Sequence, residues 1–138
     1  MLPPPQQKIK YDTDIVTKLG ESYKVWHGFL EHFTKPSRVT LGNKIDNLFT
    51  DCLELALYAG FTKGEAKLPL IKKLSSKFDA LKFFLKIMWE VKALDQKKYE
   101  HLSLSLAQIG KEIGGWIKLF EKETLPNSPA QAGKSGRQ

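Results

Sequence analysis

The chain has a single cysteine in 138 residues, and one thiol cannot close an internal disulfide. Cys52 lies in an apolar stretch, so a buried, inert thiol in a reducing compartment is expected. No uncharged apolar run approaches the ~20 residues that a membrane-spanning helix needs. The opening residues MLPPPQQKIK lack the apolar core of a secretory signal. Strand-like alternation of useful length is missing, which argues against a β-rich fold. There is no P-loop, no GxGxxG, and no Glu-x-x-His pair of the kind that holds a di-iron centre in a helical bundle. His27, His32 and His101 show no paired metal-ligand spacing, and Glu54, Glu90 and Glu112 lie off the apolar seams. Cys52 has no histidine near it in sequence. No catalytic residue, metal or cofactor is therefore expected, and the chain is taken as a non-enzymatic, cytoplasmic protein without a membrane partner.

What is present is helical periodicity. A composition of 41% hydrophobic and 27% charged residues is that of one globular domain. The proline-rich residues 1–11 and the polar residues 124–138 are expected to be disordered, leaving a bundle over 12–123. A first helix is expected after Asp12 or Thr13, with Ile15, Leu19, Trp26, Phe29, Leu30 and Phe33 recurring at threes and fours. Pro36 should break it. A second helix from about Thr40 carries Leu41, Ile45, Leu48, Cys52, Leu55 and Ala59 on one face, with Gly60 as its C-terminal cap. A third, from about Ala66 to Ala93, tolerates Pro69 in its first turn and presents Ile71, Leu74, Phe78, Leu81, Leu85 and Met88. Asp95 then caps a fourth, on which Tyr99, Leu102, Leu106, Ile109, Ile113, Trp116 and Phe120 form a heptad seam. Short connections between four amphipathic helices predict an all-α, antiparallel up-down four-helix bundle. Gly114 and Gly115 inside the fourth helix are locally unfavourable, and a close helix contact or a bend beside Trp116 would account for them.

The formal charge is +7, and its distribution is uneven. Residues 63–98 hold ten lysines and four acids, a net +6, so the rest of the chain contributes +1. On a helical wheel Lys72, Lys82 and Lys86 flank the core stripe of the third helix on one shoulder, and Lys73 and Lys77 on the other. Arg38 and Lys44 at the start of the second helix extend the patch. Such a segment favours a polyanion, most often nucleic acid; the plainer alternative is a solvated helix with lysines for solubility.

A second apolar stripe recurs off the core faces, in Phe49, Leu53 and Leu57 on the second helix and Phe83, Ile87 and Val91 on the third. Either a wide core covers both stripes, or these residues form the contact of a homo-oligomer, which would gather several basic helices onto one surface.

Three segments carry a family resemblance: VTLGNKIDNLF at 39–49, LSSKFDALKFFLKIMWEVKALDQKKYEHLSLSLAQIG at 74–110, and IGGWIK at 113–118. Over about residues 15–120 the chain resembles the accessory variability determinant (Avd) proteins of diversity-generating retroelements. The TLG at the start of the second helix is shared with four-helix proteins encoded in 23S rRNA intervening sequences. The resemblance implies a four-helix bundle assembled as a pentameric barrel with a basic surface and no catalytic activity of its own. It implies as partners the retroelement's reverse transcriptase and template-repeat-containing RNA, with cDNA as a further candidate, in the mutagenic cDNA synthesis behind retrohoming. An intervening-sequence-type protein and a protein-only structural adaptor stay open as alternatives.

Overall fold

The computed structural model describes residues 4–124, with side chains placed from Tyr11 to Lys122. Four long helices, α1 (Pro4–Phe29), α2 (Asn43–Phe61), α3 (Lys67–Glu90) and α4 (Gln96–Thr124), run alternately up and down, and no strand occurs among the described residues. α1 packs against α2 and α4, and α3 against α2 and α4, so the chain closes a square bundle.

The helix boundaries correct several expectations. α1 begins at Pro4 rather than after Asp12 or Thr13, so residues 4–11 are helical. Proline suits a first turn, whose N–H groups have no intrahelical acceptor. Residues 1–3 and the expected tail, apart from Thr124, lie outside the described residues. Pro36 does not separate two helices in the expected way. The extended Phe33 and Thr34 end the first run, and the Thr34 hydroxyl accepts the Ser37 N–H at 3.3 Å, capping a new helical run with Pro36 in its first turn. That run passes through a π turn at Arg38–Gly42 before α2. A Cβ at Gly42 would come within 3.1 Å of the Ser37 carbonyl oxygen, so a larger residue there would need the turn to give by a few tenths of an ångström. Gly60 is not a cap: α2 continues through Phe61, and the left-handed residue of the next connection is Gly64.

α3 ends at Glu90, three residues before the expected Ala93. Lys92 adopts φ 65°, and the Ala93 N–H reaches back to the Met88 carbonyl at 3.0 Å. This is a Schellman end with lysine in the place glycine prefers. Asp95 caps α4 as expected, its carboxylate accepting the Lys98 N–H at 2.9 Å. The Lys98 ammonium's hydrogen bond comes first among the causes that hold the Asp95 carboxyl below the usual carboxylate range.

The six core positions expected on α3 are all buried, as is the α4 seam from Leu102 to Phe120, while Tyr99 is half-buried. Burying one such leucine or phenylalanine contributes roughly 1.5–3 kcal/mol. At one end of the bundle Trp26 contacts Phe33 and Phe49, and its indole N–H donates to Asp46 at 3.1 Å. At the other end Trp116 is fully buried beneath Lys67. Cys52 is in the core, where burial pushes its thiol up to about 12, so it is no thiolate nucleophile at neutral pH.

Candidate nucleic-acid interface

The lysines of α3 fall on two seams of the bundle. On the α2 side, Lys77 pairs with Asp51 at 3.1 Å, and Lys73 lies one turn before it. Lys44 of α2 joins this seam with its ammonium 5.5 Å above the Phe84 ring. Arg38 is exposed on the π turn just ahead. On the α4 side, Lys72 pairs with Glu121 at 3.3 Å, Lys82 stands 3.7 Å from Asp79, and Lys86 follows one turn later. The division into two shoulders thus matches the helical wheel, and the outer face of α3, carrying Ser76 and Phe83, separates them.

Packing weakens the charge that the sequence concentrates. Three of the ten lysines between residues 63 and 98 meet carboxylates from other helices: Lys67 with Asp12, Lys72 with Glu121 and Lys77 with Asp51. Lys98 pairs with Asp95 at 2.8 Å, within its own turn. Lys73 and Lys86 are the two proposed contacts on α3 whose ammonium groups have no carboxylate or hydrogen-bond partner among the described residues, and both are exposed. Exposed ion pairs such as Lys82 with Asp79 hold by about 1 kcal/mol or less, so that ammonium can turn to a phosphate.

Lys67 is a buried cation that composition alone does not single out. Its side chain is only 6% exposed, its ammonium pairs with Asp12 at 3.0 Å, and it lies 5.6 Å above the Trp116 ring and 5.1 Å above the Phe120 ring. The signal in the sequence is register, since residue 67 is one turn before Ile71 on the core face. Lys18 of α1 likewise hydrogen-bonds the half-buried Glu112 of α4, and that bond raises the Lys18 pKa above its ordinary value. Both contacts tie helices together, and Lys67 alone of the two is shut away from solvent.

The second apolar stripe divides. Phe49 is fully buried between α1 and α2, with Tyr23 edge-on at 5.7 Å, so it belongs to the core and is withdrawn from the oligomer contact. Leu53 and Ile87 are half-buried. Leu57, Phe83 and Val91 remain well exposed, Phe83 at 56%. Exposed apolar groups that the stripe did not include are Val39, Tyr58, Phe61 at 76% and Leu104 at 75%.

His27, His32 and His101 are exposed, and among the described residues no group of three or more His, Cys, Asp or Glu could hold a metal ion. No described helix is long and apolar enough to cross a membrane. No family model matches the chain, and no curated protein or solved structure matches it either.

Proposed function

We propose that the chain is a non-catalytic, RNA-binding accessory protein of a diversity-generating retroelement, acting in the cytoplasm. It would hold template RNA, and its cDNA product, beside the reverse transcriptase. The observation that carries the RNA reading is the pair of lysine-lined seams on α3, with the Lys73 and Lys86 ammonium groups exposed and unpaired among the described residues. Lysines spaced along a helix suit phosphates, which they contact as point charges without regard to sequence. The resemblance through IGGWIK supplies the retroelement as the setting. Self-association, pentameric by that resemblance, is supported by the exposed Leu57, Phe83 and Val91.

The test is a mobility shift with structured RNA at moderate salt, comparing the wild type with Lys73→Glu/Lys86→Glu. Neither lysine holds a carboxylate among the described residues, so the double variant should keep its helicity by circular dichroism while losing most of its RNA affinity. A wild type that ignores RNA even in dilute buffer overturns the proposal and leaves the protein-only adaptor. A monomer by light scattering overturns the oligomer.

A further inference from the structure

Trp89 near the end of α3 and Tyr99 in the first turn of α4 stack with ring centroids 4.7 Å apart and planes 6° from parallel. The indole N–H donates to the Gln96 side chain at 2.8 Å, which holds the Trp89 ring in that plane. Beside Tyr99, between α3 and α4, lies a recess of about 190 Å³, with Leu85 and Leu106 among its apolar lining. Trp89 covers one face of the Tyr99 ring. Tyr99 lines the recess and Trp89 does not.

Lys82 also lines the recess. Its ammonium lies 5.4 Å above the Phe78 ring and 3.7 Å from where a Cβ of Gly110 would stand. The lysine thus reaches toward α4, in ordinary contact distance of that glycine. Lys86, exposed and without a partner among the described residues, follows one turn along the same flank. The Ser103 hydroxyl, in the wall, makes no hydrogen bond among the described residues.

We propose that this recess takes one unpaired nucleotide of single-stranded RNA, its base stacked on Tyr99 as a third layer of the Trp89–Tyr99 pile and its phosphate on Lys82 and Lys86. The proposal rests on the RNA reading above and names where an unpaired strand is held. A phosphate alone would have no use for an apolar floor beside an aromatic ring, and an apolar ligand would have none for two ammonium groups. A nucleotide uses both, with the serine hydroxyl as donor or acceptor for the base edge. A volume of about 190 Å³ is on the scale of one planar ring system.

Fluorescence anisotropy with labelled oligouridylate, the same length of duplex RNA, and oligothymidylate tests this on the full chain. Tyr99→Ala should weaken oligouridylate binding roughly 5-fold or more, the loss of one stacked base, and leave duplex RNA binding unchanged. Tyr99→Phe should bind as the wild type does. Ala107→Phe fills the recess from its own wall while leaving Trp89 and Tyr99 unsubstituted, and should reproduce the selective loss even if Tyr99→Ala perturbs the fold. Oligothymidylate should show the same loss, since neither stacking nor a phosphate contact needs the 2′-hydroxyl. If both RNAs bind but Tyr99→Ala and Ala107→Phe weaken them equally or not at all, the recess is not a nucleotide site, while the electrostatic reading stands. If neither RNA binds the wild type, the electrostatic reading fails first and takes the recess with it.

Discussion

The two adjacent glycines of α4 should respond oppositely to the same added methyl group. A Cβ on Gly114 meets nothing within 4 Å, whereas one on Gly115 would lie 2.5 Å from the Tyr11 hydroxyl oxygen and 3.2 Å from its ring carbon. In a helix interior, glycine to alanine is worth about 1 kcal/mol through backbone entropy. Gly114→Ala should realise that gain in full. For a chain of this size it corresponds to a melting shift of roughly 4 °C upward. Gly115→Ala carries the same propensity gain but must displace Tyr11, so it should fall short of Gly114→Ala by about 1 kcal/mol or more. Removing the obstacle in Tyr11→Ala/Gly115→Ala should restore the alanine gain, a coupling that a double-mutant cycle reads directly. Thermal unfolding followed by circular dichroism at one fixed protein concentration suffices. A Gly114→Ala variant that melts below the wild type would refute the reasoning. It would mean that the open side of α4 at this glycine is occupied by another chain.

Three further outcomes follow from single positions. Lys92→Gly should stabilise by roughly 0.5–1 kcal/mol in urea titration, because the left-handed backbone at φ 65° suits glycine; a loss would show that the lysine side chain does more than cap. Lys67→Ala should destabilise by about 2 kcal/mol, less than a sealed pair would cost because Asp12 keeps 22% of its side-chain exposure. Lys67→Met should cost less than Lys67→Ala, since its chain still packs on Trp116 and Phe120, and equal losses would assign the whole effect to charge. Asp95 has a folded pKa below its unfolded one, so its contribution is present above the unfolded value and is lost as pH falls through the folded value. The stability gap between the wild type and Asp95→Asn should therefore close in that acid window, and a gap independent of pH would remove the link to Lys98.

Where one face of a helix meets the core, spacing alone located it. Ile71, Leu74, Phe78, Leu81, Leu85 and Met88 are all buried, because a period near 3.6 maps directly onto one stripe. Phe49 shows the limit of that logic. Periodicity says which residues share a face, but not how wide an arc the neighbouring helices cover, and Tyr23 and Trp26 of α1 extend the arc over it. Leu57, Phe83 and Val91, from the same stripes, stay outside that arc.

The two lysine shoulders were legible for the same reason as the core stripe. Their partners were not, since Lys72 meeting Glu121 and Lys77 meeting Asp51 depend on the register between helices far apart in sequence. The connections misled in a third way. Gly60 and Pro36 carry ordinary stop signals, yet the chain uses Thr34 and Gly64 instead. The Trp89–Tyr99 stack forms only once α3 and α4 meet, and its one sequence trace is a pair of aromatics flanking a short, capped connection.

The salt dependence of RNA binding tests the central claim most directly. With single-stranded RNA, the logarithm of the binding constant should fall linearly with the logarithm of salt, by about 0.7 for each phosphate neutralised. Lys73→Ala/Lys86→Ala removes two such contacts and should flatten that slope by about 1.4. A wild-type affinity indifferent to salt, or a double variant with an unchanged slope, would contradict the assignment of these lysines to phosphates.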